Sequence, residues 1–176
     1  SGQFIEHDVD NGQYYLDLKK DIDYDEKITQ RAAIIESDVL NHGYYDLIYY
    51  CLNWQVEEHI ATFKIYDHTL NWVSHNIFRR GYLFLGTPEN RPTAQPPEDY
   101  YIYFLPPYGD DTYKDEHKDD EVFFSFKSLT DEFTNNLKLY VAALEMQSLA
   151  DEKNKVAYQN KADKYQHLLT KYLNEN

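Results

Sequence analysis

A chain of 176 residues and 21.0 kDa has the length of one domain, or of one domain with an appendage, and buries enough surface to need no metal or disulfide staple. Its single cysteine, Cys51, excludes an internal disulfide framework and fits a reducing, cytoplasmic setting, and no apolar stretch approaches the roughly 18 residues of a membrane span. Seventeen Lys+Arg against 31 Asp+Glu leave a net charge of −14, so binding to nucleic acid or to an anionic membrane surface is not expected. The opening residues SGQFIEHDVD lack a basic-then-apolar leader and read as the start of a processed or excised piece.

The order of elements suggests one α+β domain over residues 1–176: a strand and two helices (1–55), a sheet region (56–128) and a helical hairpin (129–176). In QYYLDLK, residues 13–19, Tyr15, Leu16 and Leu18 suggest a short strand. Asp23 then reads as the N-cap of a helix with Glu26 completing a capping box, and Ile28, Ala32 and Ile35 follow at helical spacing. Ser37 or Asp38 caps a second helix whose apolar face is Leu40, Tyr44, Leu47, Ile48, Cys51 and Leu52. Five strands are expected in a mainly antiparallel sheet. Phe63–Ile65 and Leu70–Trp72 flank a turn at Asp67-His68; the other strands lie in GYLFLGT, DYYIYFLPPY and EVFFSFK. Between the last three run a loop with four prolines, Pro88 to Pro97, and an acidic stretch. From Glu98 to Glu121, nine acidic residues against Lys114 and Lys118 leave −7, half the total charge. Thr130 caps a helix that buries Phe133, Leu137, Tyr140, Val141, Leu144 and Leu149. After a polar break at 151–154, a second helix buries Tyr158, Ala162, Tyr165, Leu168, Leu169 and Tyr172, and so short a link makes the two antiparallel.

Few patterns carry chemistry. The phosphate loop GxxxxGK[ST], a GxGxxG turn and a GxSxG elbow are all missing from the sequence. Cys51 lies on an apolar helical face and reads as a small hydrophobe. Asp21, Asp23 and Asp25 imitate the start of an EF-hand loop, but Glu26 and Ala32 occupy the positions that need Gly and a bidentate Glu, so helix capping is the better reading. His59, His68, His75 and His117 follow no zinc spacing, and Asp110, Asp111, Asp115, Asp119 and Asp120 follow no cation-loop spacing, so neither metal nor cofactor is expected. Of the 18 tyrosines, Tyr14, Tyr15, Tyr100, Tyr101 and Tyr103 are best placed to fill a half-buried sheet. Arg79 and Arg80 beside Tyr82, with Arg91 nearby, form one basic–aromatic cluster suited to a phosphate or an acidic partner, although adjacent strand residues point to opposite faces.

Three stretches, GQYYLDLKKDIDYDEKI (residues 12–28), GYLFLGTPENRPTAQPPEDYYIYFLPPY (residues 81–108) and DEVFFSF (residues 120–126), resemble the region downstream of the ATPase core in large bacterial P-loop proteins of BREX-type phage-defence islands. The resemblance implies an accessory domain of such a protein, without catalytic residues, whose partners are the rest of the parent chain or other defence proteins. ATP hydrolysis would then belong to the parent. Two rivals differ in what they require. An acidic mimic of DNA needs carboxylates spread over an elongated surface, whereas half of the net charge here sits in one run. A small hydrolase needs a pocket with a carboxylate of perturbed pKa.

Overall fold

The computed structural model describes residues 2–52, 58–60, 65–90, 98–109, 118–126 and 129–176. The chain is α+β and divides into two compact units, Ser1–Gly43 with Asp131–Asn176, and Tyr44–Thr130.

In the first unit, α1 (Gly2–Ala32) is one continuous helix, so the expected strand at 13–19 is helical and Asp23 is an interior residue, not a cap. A segment that is rich in Leu, Lys and Asp and contains no proline or β-branched residue has no strong reason to extend, and each interior Gly costs a helix only about 1 kcal/mol. Two further helices, α3 (Asp131–Leu149) and α4 (Glu152–Glu175), run antiparallel, since the ring of Phe133 at the start of α3 lies 5.0 Å from that of Tyr172 near the end of α4. The break expected at 151–154 is mostly the first turn of α4: Asp151 is its N-cap, and its Oδ1 accepts from the Asn154 N–H at 3.1 Å. Phe133, Leu137, Tyr140 and Val141 are buried as their spacing indicates, with Ala142 and Ala143 beside them, but Leu149 is 76% exposed. From α4 the core receives Tyr158, Ala162, Leu169 and Leu173, while Leu168 faces solvent.

The C-terminal part of α1 closes this core with Ile28 and Ala32. Tyr24 donates to Asn154 Oδ1 at 2.6 Å and its ring meets Tyr158 edge-on; Arg31 pairs with Glu145. Lys161, half-sunk between helices, reaches Asp21 at 2.8 Å and Asp25 at 2.9 Å. The residues that imitate an EF-hand opening therefore serve helix packing. The start of α2 (Ser37–Leu52) belongs here too, and a methyl group on Gly43 would come 2.5 Å from Val141 Cγ2, so glycine permits the close approach to α3.

The second unit holds the end of α2 and a five-stranded sheet in the order β1 (Glu58–Ile60), β2 (Ile65–Trp72), β3 (Ile77–Leu85), β4 (Tyr100–Phe104), β5 (Glu121–Phe124). It is mixed, not mainly antiparallel: β1–β2–β3 pair antiparallel, and the three strands β3–β4–β5 pair parallel. The reason lies in the connections. Residues 86–99 and 105–120 each exceed the roughly dozen residues that carry a chain back for a parallel strand. The proline-rich and acidic stretches are thus crossovers. The turn expected at Asp67-His68 lies inside β2; the reversal comes at a 3-10 turn, Val73–His75, and Asn76, whose φ of 51° is left-handed. Phe63 falls outside the described residues.

The sheet core is aromatic. Tyr82, Phe84, Tyr101 and Tyr103 are buried together, and the rings of Phe84, Tyr103 and Phe123 stack across the three parallel strands at 4.9 and 5.2 Å. Leu83 and Leu85, on the opposite face of β3, are buried as well, as a central strand requires. The Tyr45 hydroxyl of α2 donates to the Phe104 carbonyl at 3.0 Å.

Candidate interaction surface

β3 changes character at Gly81. From Gly81 to Leu85 it is buried and pairs with β4; from Ile77 to Arg80 it is exposed and pairs with β2 alone among the described residues. The register Trp72↔Ile77, Asn71↔Phe78, Leu70↔Arg79 and Thr69↔Arg80 makes this end of the hairpin a two-stranded arm. Gly81 marks its base, because the Tyr100 ring lies across it where any Cβ would stand. Asp99 fastens the base from the other side: its N–H donates to the Arg80 carbonyl at 2.9 Å, and its Oδ2 accepts from the Arg80 N–H at 3.1 Å.

Residues 77–80 are all exposed, and the alternation of Arg79 and Arg80 presents one guanidinium on each face of β3. Phe78 is 59% exposed and Ile77 is 39% exposed. The Arg80 guanidinium stands 5.6 Å from the centre of the Phe78 ring, a cation–π arrangement between residues two apart on one face. Residues 69–80 carry two arginines and no carboxylate, so the arm is basic in a chain of −14.

Tyr82 is not part of this surface. It is 2% exposed, in the aromatic core, and Phe78 takes the place expected of it. Arg91 lies outside the described residues. The signal for Phe78 was present: two residues before Arg80 on a strand is the same face.

Cys51 is half-buried, and burial pushes its thiol up, away from nucleophilic thiolate. His75 lies at the tip of the arm, its Nδ1 2.8 Å from Ser74 Oγ. The side chains of His59, His68, His117, Asp110, Asp111 and Asp115 are outside what the structure describes; Asp119 and Asp120 are exposed in the turn before β5. Among the described residues no three His, Cys, Asp or Glu side chains gather as a metal site. Among them, too, no helix is long and apolar enough to cross a membrane.

The model of the family described as the DUF6079 third domain matches residues 26–176 of the chain. No curated protein and no solved structure matches it.

Proposed function

We propose that this chain, which belongs to the DUF6079 third-domain family, is a non-catalytic accessory domain that makes protein contacts within a larger P-loop ATPase of BREX-type phage defence. The exposed arm carries this reading. Arginine and aromatic groups are the usual anchors of protein interfaces, and Ile77, Phe78, Arg79 and Arg80 offer both kinds on a strand end that no other described strand covers. A partner surface that combines apolar area with carboxylates would match it. The resemblance of residues 81–108 and 120–126 to the region beyond the ATPase core supports the parent's identity, and both stretches lie inside the matched range.

The test compares this chain with the parent protein. The purified chain is expected to neither bind nor hydrolyse ATP, and to leave a 20-base-pair duplex unshifted at physiological salt, whereas the parent turns over ATP. In the parent, Phe78→Ser with Arg80→Glu is expected to weaken the contact at least about tenfold, the loss typical of a buried anchor. ATP turnover by this chain that disappears on a point change within it would overturn the reading. So would a salt-sensitive DNA shift that Arg79→Ala/Arg80→Ala abolishes.

A further inference from the structure

The middle turns of α1 bear apolar side chains that the described residues of their own unit leave largely exposed. Tyr15, Leu16, Leu18 and Ile22 keep between 48% and 67% of their surface in solvent. At about 100° per residue, Tyr15, Leu18 and Ile22 fall within an arc of about 60°. That stripe is turned by about 100° from the face of α1 that packs in the core through Ile28 and Ala32. It is a second contact face, not a frayed extension of the first.

The match to the third domain begins at residue 26, inside α1, so residues 2–25 of the helix lie ahead of that domain while remaining continuous with it. A description as a third domain places other domains before it in proteins of this family. We propose that the Tyr15–Leu18–Ile22 stripe is the docking surface for the domain that precedes this one in the same polypeptide. Its occupant is an apolar groove or helix face of that domain. α1 is then a shared helix: residues 21–32 are held by Ile28, Ala32, the Tyr24–Asn154 bond and the Lys161–Asp21/Asp25 bridges, so an element docked on its Tyr15–Leu18–Ile22 face is joined to α3 and α4 without a flexible linker. This rests on the reading of the chain as part of a larger protein, but not on that protein's being an ATPase.

The experiment measures amide exchange across residues 15–22 in this chain and in the natural protein extended through the preceding domain, each with and without Leu18→Gln/Ile22→Gln. Glutamine keeps helix propensity, so the pair removes the apolar stripe without breaking the helix. In this chain the amides should exchange fast, and the variant should melt at the same temperature as the parent sequence. In the longer protein they should slow at least about tenfold, and the variant should lose that protection. Equal exchange in both proteins would overturn the proposal. Concentration-dependent self-association of this chain, abolished by the variant, would also overturn it, in favour of a second copy as occupant. Absence of ATP turnover in the longer protein would sink the ATPase parentage and leave the docking result standing.

Discussion

Leu137→Ala tests whether α3 and α4 are held by a packed core or stand as a loose pair. Leu137 is fully buried, and the close approach of α2 at Gly43 leaves its side little room to collapse, since a methyl group there would already lie 3.6 Å from Leu137 Cδ1. Truncation removes three carbons, about 2.4 kcal/mol of transfer free energy at about 0.8 per group, and an unfilled cavity raises the total to about 3–4 kcal/mol. Leu149→Ala, on a side chain 76% exposed, removes the same atoms and should change stability by no more than about 0.5 kcal/mol. The assay is urea unfolding followed by far-UV circular dichroism, which reports mainly the helices. Tryptophan fluorescence serves as a second probe, because Trp72 ends β2 of the sheet. The helix transition should move to lower urea with its slope unchanged. A loss below about 1 kcal/mol for Leu137→Ala, with fast exchange across α3 and α4, would refute the packed-core reasoning.

Three further perturbations address other parts of the molecule. Gly81→Ala should destabilise the sheet by about 1–3 kcal/mol, because the Tyr100 ring and the backbone beneath it must separate; an unchanged fluorescence midpoint would show that the ring is free to move. Burial, with Tyr108 nearby for one and Tyr44 for the other, raises Tyr44 and Tyr45 above the ordinary tyrosine range, so their contribution is complete below about pH 10 and is lost as pH climbs toward the folded values. Tyr45→Phe should therefore flatten the alkaline fall in stability while forfeiting about 1 kcal/mol near neutral pH with its bond to the Phe104 carbonyl. Burial lowers the affinity of Lys161 for its proton, but hydrogen bonds to Asp21 and Asp25 and their charges outweigh it, leaving the ammonium held more firmly than usual. Lys161→Met should cost about 1–2 kcal/mol, between the exposed and buried limits for ion pairs, and a cost unchanged in 1 M salt would point to packing instead.

The C-terminal helices were legible because burial and periodicity coincide there: Phe133, Leu137, Tyr140 and Val141 recur at helical spacing and are all covered. The same logic explains why residues 13–19 of α1 resemble a strand. Tyr15, Leu16 and Leu18 span too few residues to separate a period of 2 from one of 3.6, and their own unit does not bury them, so no covered face disciplines the pattern. In the sheet, aromatic runs mark the strands but not their direction. Direction depends on where each connection returns the chain, and only the lengths of 86–99 and 105–120 carried that information. The arginine pair was visible as a local cluster. Phe78 and Tyr82 both share the face of Arg80 in the pattern, and which of them stays in solvent depends on where β4 begins to pair, nineteen positions along the chain from Gly81.

That crossing point makes Asp99 the residue on which the arm depends. A two-stranded ribbon is marginal in water, and an exposed Arg80–Phe78 pair adds only about 0.5–1 kcal/mol, so residues 77–80 need an anchor where β4 has not yet begun. Asp99 supplies it twice, through its backbone to the Arg80 carbonyl and through its carboxylate to the Arg80 N–H. Asp99→Ala keeps the first bond and removes the second. The exposed setting limits the loss to about 1 kcal/mol, or about fivefold in the opening equilibrium of the arm. Amides of Ile77, Phe78 and Arg79 should exchange faster by that factor, while those of Leu83 and Leu85, buried between strands, should not change. Uniform acceleration across all of β3 would mean that the carboxylate stabilises the whole sheet. No acceleration at 77–79 would mean that the pairing with β2 suffices, and the arm would then be a rigid element in its own right.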